Sequence, residues 1–428
     1  MSTKRAKLKA YPLYLCIAVA GAFGMTTVQT VSSVYQVEVV KLSPLQLILV
    51  GTTLEIVTFC CQVPTGALAD LYSRRMCVIL GYLLLGASYL LQGLVPRFEA
   101  ILLAQVLLGA GFTFLSGAEE AWVADEITGV SAGRVFLRAT QWGLVGSLAA
   151  IPLSLALANR WQLNVPMIAG AGILLLLGVL LLGFMPENNF RRQPQTERTT
   201  WHTLSKQVVE GGRAVRASAM LLCILGVTLF IGLASEGFDR LYTAHFLLDF
   251  TLPSLWGLKP VTWFGIISAG SMLLSIAGTE VIARYVDTDR PRAVIATLFV
   301  CHALLTIGIV AFALAGNFYV ALCTYWCVRI IRTMRAPLHS AWLTQYTDSR
   351  QRATVFSFDG MVDPIGQIAG GPFVGMIGKW FSLRIALVTV GLIMSPGLLI
   401  LVRAFKLQKK VSSDAEQMQP GEEPEAVP

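Results

Sequence analysis

Apolar residues in this chain come in blocks of helical-span length, cut by short polar stretches. A helix crosses about 30 Å of hydrocarbon with about 20 apolar residues. Uncharged runs of that order recur at 10–37, 76–96, 100–118, 139–159, 161–186, 217–235, 260–279, 293–328 and 385–402. The run 293–328 holds one helix and the outer part of the next. Three further spans carry charge: 45–69 with Glu55, 317–343 with Arg329, Arg332 and Arg335, and 353–378 with Asp359 and Asp363. The count is twelve, and an even number puts both chain ends on one side. The short alternating segments of a transmembrane β-barrel are not visible.

The pattern predicts an all-α membrane protein with twelve transmembrane helices in two pseudo-symmetric six-helix bundles. The expected divisions are 1–186 (first bundle), 187–216 (cytoplasmic linker, polar and rich in Arg, Gln and Thr), 217–405 (second bundle) and 406–428 (tail). Residues 412–428 are acidic and Pro-rich with no apolar period, so the tail is expected to be disordered. The halves resemble each other at a shift of 220: Ala121-Trp122 falls on Ala341-Trp342, Gly146 on Gly366, and Pro152 on Pro372. A shift of 217 lays Asp70 on Asp287 and Arg75 on Arg292. Parallel repeats of this kind build many transporters.

Composition agrees: 55% of the 428 residues are hydrophobic and 14% charged, against about 25% charged in soluble domains. Of 33 basic residues, 23 fall on the face that carries the two chain ends and six on the other. Positive residues stay in the cytoplasm, which predicts a multi-pass inner (plasma) membrane protein with both termini cytoplasmic. The net charge of +8 is then a topology signal, with no nucleic-acid partner. Ala18-Val19-Ala20 mimics a signal-peptide cleavage site, but the apolar run continues past it and reads as the first helix. The eight cysteines sit in or beside apolar spans, where they act as small hydrophobes. No metal, cofactor or enzymatic motif is expected: there is no phosphate-binding loop and no His-Glu-x-x-His.

The loop after the second span reads Gly66-Ala67-Leu68-Ala69-Asp70-Leu71-Tyr72-Ser73-Arg74-Arg75. It resembles the signature loop of the major facilitator superfamily, with Leu71 in place of a basic residue and Ser73 in place of a second glycine. The resemblance, to a bacterial efflux-type member, covers roughly residues 10 to 405. It implies a cytoplasmic gate in which Gly66 permits close packing at the turn and Asp70 meets the start of the eleventh span. Arg74 and Arg75 would bridge to acids such as Asp125 or Glu126, with Asp287 and Arg292 as counterparts in the second half. A solvated loop charge is the plain alternative for Asp70. The fourth span has Gln105 where many members carry arginine, so a proton relay through that position is absent or moved.

Charge inside a membrane costs about 2.5–3.5 kcal/mol at mid-depth, which makes it a functional candidate. The candidates for substrate and proton handling are Glu55, Glu119, Glu120, Glu236, Asp239, Arg329, Arg332, Asp359 and Asp363. Arg329, Arg332 and Arg335 recur every three residues along one helix face and could hold an anionic group or internal carboxylates. Carboxylates in a low dielectric can exchange protons near neutral pH. Each has a structural alternative: solvation near the outer surface for Glu236, Asp239 and Arg240; the gate for Glu119 and Glu120; snorkelling for Arg335; a packing ion pair for Glu55, Arg329 and Asp363. The resulting expectation is a monomeric secondary transporter working by alternating access. The leading reading is proton-coupled export of a small amphipathic organic compound such as a drug, antibiotic, siderophore or metabolite. Proton-coupled uptake of an anionic solute and a non-transporting receptor or scaffold are the alternatives.

Overall fold

Polar caps and one left-handed glycine set where the apolar runs begin and end. The computed structural model describes residues 10–127, 132–190, 218–254, 259–287, 290–347 and 352–417, with positions 212, 216 and 257. Among them every regular element is an α-helix. The first half contains α1 (Ala10–Glu38), α2 (Pro44–Leu71), α3 (Arg74–Leu94), α4 (Phe98–Leu115), α5 (Ala118–Glu126), α6 (Ala132–Arg160) and α7 (Asn164–Phe184). The second contains α8 (Ala219–Leu248), α9 (Val261–Tyr285), α10 (Pro291–Ala313), α11 (Phe318–Gln345), α12 (Arg352–Trp380) and α13 (Leu383–Gln417). Ser43 caps α2 in a reciprocal capping box with Gln46, with Pro44 at the first helical position. Ser73, Ser218 and Asn317 cap α3, α8 and α11 through their side-chain oxygens. Gly117, at φ 77°, breaks the fourth span into α4 and α5, a conformation that costs glycine little and a residue with a Cβ more.

Ten spans, with α4 and α5 counted as one, are long and apolar enough to cross a membrane. The other two, α11 and α12, are of matching length but carry Arg329, Arg332 and Arg335, or Asp359 and Asp363. Large apolar side chains such as Leu399 (74% exposed) and Ile307 (64%) point outward, as a lipid-facing surface requires.

The twelve spans form two bundles with one packing plan. In the first, α1 packs on α6 and α7, α2 on α4, and α3 on α4 and α7. In the second, α8 packs on α12 and α13, α9 on α11, and α10 on α11 and α13. The 220-residue shift has a physical counterpart. A Cβ on Gly146 would lie 2.7 Å from the Val19 carbonyl of α1, and one on Gly366 would lie 2.8 Å from the Leu229 carbonyl of α8. Trp122 and Trp342 are both fully buried. Helix α13 continues to Gln417, so 406–417, expected to open a disordered tail, is helical. Its apolar part simply runs on into residues with good helix propensity such as Lys, Gln and Ala. Residues 418–428 and most of the linker lie outside the described residues.

The bundles meet mainly through α2 against α12, with smaller contacts of α2 on α8, α6 on α9, and α1 on α8 and α9. We call the end of the bundles bearing residues 10 and 417 the terminal face. The cross-bundle contacts resolved atom by atom lie toward the opposite face. Gly371 faces Ile48 and Thr52, Gly375 faces Leu45, and Gly378 faces Pro44. Asn159 donates to Thr262 at 3.0 Å, and the Lys259 ammonium donates to the Ala158 and Trp161 carbonyls at 2.7 and 2.6 Å.

Candidate functional site

A charge buried in a bundle needs a partner or water, and the second bundle gathers most of the intramembrane charges into one network. Helix α8 supplies Glu236, Asp239 and Arg240 from its middle. Glu236 is buried, at 3% exposure, and its Oε1 accepts from Arg240 Nε at 2.9 Å one turn along the same helix. Asp239 turns the other way. Its two oxygens accept from both terminal nitrogens of Arg332 at 2.5 and 2.9 Å, a bidentate geometry that favours strength and fixed orientation. Arg329 stands 3.9 Å from the same carboxylate. The Arg332 guanidinium also lies 6.0 Å over the Phe238 ring, within cation–π range.

Helix α12 brings two more acids. Asp359 Oδ1 accepts from the Thr228 hydroxyl at 2.8 Å, and its Oδ2 lies 2.9 Å from His339 Nε2. Asp363 accepts from Gln367 at 2.7 Å. Arg335 is within electrostatic reach of both, and its Nη1 is buried without a hydrogen-bond partner. Helix α2 of the first bundle lies across the network. Gly51 presses on the Glu236–Arg240 pair, and Glu55 is within electrostatic reach of Glu236, Arg240 and Asp363.

Two cavities adjoin this network. One of about 340 Å³ is lined by Thr228, Arg335, His339, Asp359 and Asp363, and on its apolar side by Ile231, Phe238, Leu305 and Met394. A second of about 570 Å³ is lined by Asp239, Arg329, Tyr242 and Tyr325, with Ser268, Ser271, Ser275 and Thr279 along one face of α9. The Tyr242 and Tyr325 rings are 4.9 Å apart. The first bundle has its own cavity of about 370 Å³, where Thr58 and Gln62 of α2 face Glu119 and Glu120 of α5. Glu119 accepts from the Tyr82 hydroxyl at 3.1 Å.

Glu55, Glu236, Asp239, Arg329, Arg332, Asp359 and Asp363 thus share one network, whereas Glu119 and Glu120 stand apart in the other bundle. Arg335 lines a cavity instead of reaching for the bilayer surface. Sequence reasoning passed over His339, Thr228 and Gln367. A single histidine in an apolar helix has no spacing that marks it, and only the crossing of α8, α11 and α12 shows its neighbours.

At the terminal face Arg74 and Arg75 have partners within the first bundle. Arg74 pairs with Asp125 at 2.5 Å. The Arg75 guanidinium donates to the Leu182 carbonyl at 2.6 Å, and its backbone N–H donates to Glu187 at 3.0 Å. Glu187, counted in sequence as the start of the linker, also accepts from Ser73 at 2.7 Å. It places a carboxylate at the start of α3, where the helix dipole favours it. Glu126 accepts from the backbone N–H groups of Asn188 and Asn189. A Cβ on Gly66 would meet nothing within 4 Å. Close packing there is not what the glycine serves in this conformation, because α2 meets α12 nearer its other end. The Asp70 side chain lies outside the described residues. In the second half Asp287 pairs with Arg290 at 2.9 Å, and Arg292 is exposed.

Known proteins of similar sequence and structure share this plan. Residues 13–328 match the family model of the Major Facilitator Superfamily. A protein of Bacillus subtilis (strain 168) described as an uncharacterized MFS-type transporter, YxaM, is 21% identical over 358 residues, covering 81% of this chain and 84% of its own. The crystal structure of the nucleoside transporter NupG superposes with a TM-score of 0.74 at 14% identity, covering 93% of this chain and all of NupG. The peptide transporter POT in complex with sulfate gives 0.72 at 12% identity, covering 94% and 95%. A bacterial homolog of the human lysosomal transporter Spinster, inward-facing and occupied, gives 0.68 at 15%, covering 95% and 98%. With twelve spans, a repeated six-helix plan and a sequence match over most of its length, the chain belongs to the major facilitator superfamily of membrane transporters.

Proposed function

We propose that this protein is a monomeric, proton-coupled secondary transporter that exports a small amphipathic organic compound from the cytoplasm. It sits in the inner (plasma) membrane with both termini in the cytoplasm, following the basic excess on the terminal face. The terminal face is then the cytoplasmic one. The named cross-bundle contacts lie toward the opposite face, and the cavities holding Asp359 and Glu119 lie toward the cytoplasm, as in a carrier closed to the outside and open inward.

The observation that carries the substrate reading is the mixed wall of the 340 Å³ cavity. Ile231, Phe238, Leu305 and Met394 face Arg335, His339, Asp359 and Asp363 across it, a lining suited to a ligand with one apolar and one polar end. An anionic solute is favoured less than the arginine row implied, because Arg329 and Arg332 are both engaged by Asp239. Five network carboxylates (Glu55, Glu236, Asp239, Asp359, Asp363) stand against four guanidinium groups (Arg240, Arg329, Arg332, Arg335), a local surplus of acid that suits proton exchange. Of the gate residues, Asp70 is assigned the contact with the start of α12 in the outward-open state. Gly66, Arg74, Arg75, Asp287 and Arg292 shape the two cytoplasmic turns.

A growth-inhibition panel in a host lacking its own efflux pumps tests the direction. Export predicts raised tolerance to at least one amphipathic compound on expression. Raised sensitivity to a compound would point to uptake.

A further inference from the structure

Not every acid in the second bundle is placed to carry a proton. Asp239 is held by two nitrogens of Arg332 with Arg329 beside it, and Glu236 is held by Arg240. Adding a proton to either would give up a charge-assisted pair, among the stronger contacts a side chain makes. Asp359 differs. Its described partners are a hydroxyl, Thr228, and an imidazole, His339.

The imidazole geometry settles where a proton can go. When His339 Nε2–H donates to Asp359 Oδ2, the other ring nitrogen, Nδ1, carries the free lone pair. His339 Nδ1 is buried and has no hydrogen-bond partner, while the ring lines the 340 Å³ cavity. A proton taken up at Nδ1 therefore adds to the ring without breaking the bond to Asp359. The orienting carboxylate stabilises the cation that forms.

The surroundings are asymmetric. On its own helix His339 has Arg335 and Arg332 one and two turns away, with the Trp342 ring at 6.5 Å. Helix α12 presents Asp359, Asp363 and Gln367; α8 presents Thr228, with Glu236 and Asp239 farther along; α10 and α13 present only Leu305, Ile309 and Met394 to the cavity. His302 of α10 is turned away, with Nε2 on the Met394 carbonyl at 2.8 Å. Among the described residues the only acid in direct contact with His339 is Asp359.

We propose that His339, oriented by Asp359 and Thr228, is the proton-binding site of the transport cycle, and that the arginine-held acids Asp239 and Glu236 fix the bundle. This deepens the proton-coupled reading and rests on it. The test reads proton binding directly and needs no substrate, so it can fail independently of that reading. The chain has four histidines, so full-length protein labelled with ¹³C-histidine in nanodiscs gives four ring signals. The signal missing in His339→Gln is expected to move with pH. Its midpoint is expected to fall in Asp359→Asn, which removes the orienting negative charge, and to stay in place in Glu236→Gln. Thermal unfolding of each variant confirms the fold, and Thr228→Val serves as a milder probe if Asp359→Asn is unstable. A His339 signal constant from pH 5 to 9, or a midpoint unchanged in both Asp359→Asn and Thr228→Val, overturns the assignment.

Discussion

Replacing Gly51 with alanine tests how the two bundles communicate. A Cβ at this position would overlap Glu236 Oε1 and Arg240 Nε and lie 2.7 Å from Arg240 Cζ. Glu236 is buried and holds Arg240 at 2.9 Å, so neither group yields freely. Either the ion pair must open or α2 must lift from α8. Overpacking of this kind costs about 1–3 kcal/mol. The contact joins the bundles toward the face opposite the chain ends, so the cost falls on the conformation closed there. A difference of that size moves a two-state equilibrium about 5- to 150-fold. Pulsed electron–electron resonance between spin labels at Val39 and Phe381, in a cysteine-free background, reads the separation at that face. Wild type should give one short distance, and Gly51→Ala should add a longer one. Glu236→Ala in the same chain should restore the short distance only in part, because Arg240 Nε and Cζ also lie in the way of the added methyl. An unchanged distribution in folded Gly51→Ala would show that this contact does not hold the bundles together.

Further outcomes follow from the same geometry. Arg332→Ala leaves Asp239 with only Arg329, at 3.9 Å, and should lower stability by about 2 kcal/mol. The double variant with Asp239→Ala should recover part of that loss in thermal unfolding. Asp363→Asn and Arg329→Ala should each abolish coupled transport while folded protein remains in the membrane, which a vesicle assay with surface-expression controls can check. Asp70→Asn should slow the conformational cycle without weakening substrate binding; a loss of affinity alone would contradict its place in the gate. Gly366→Ala should impair folding, since its Cβ would lie 2.8 Å from the backbone of α8, whereas Gly360→Ala, with open space around it, should leave the melting temperature unchanged.

The spans were legible because lipid allows few exceptions: apolar residues must recur for about 20 positions before a loop can reach water. Even α11 and α12, whose charges lower their hydropathy, were readable from their length and from the repeat that places Trp342 under Trp122. The break at Gly117 was missed, because one glycine in an apolar run does not announce a left-handed turn. The helical continuation of α13 beyond residue 405 was missed because a polar surface helix has little apolar period. Of the candidate site, depth was legible and pairing was not. Arg329, Arg332 and Arg335 read as one face open to an anion, yet the carboxylate that engages two of them, Asp239, lies 93 positions from Arg332. No local rule joins positions so far apart. The contacts of Glu187 were hidden for the same reason: it opens the linker in sequence, yet its carboxylate accepts from Ser73 and the Arg75 backbone N–H at the start of α3.

Charge buried in the second bundle is proposed to couple proton movement to the passage of an organic solute. Everted membrane vesicles carrying the protein, energised to acidify their interior and loaded with a ΔpH-sensitive dye, measure this directly. Adding amphipathic compounds one at a time should collapse part of the gradient for at least one of them, and the response should vanish in Asp363→Asn vesicles holding the same amount of folded protein. If no compound moves protons in either membrane orientation, or the Asp363→Asn response equals that of wild type, the account is contradicted.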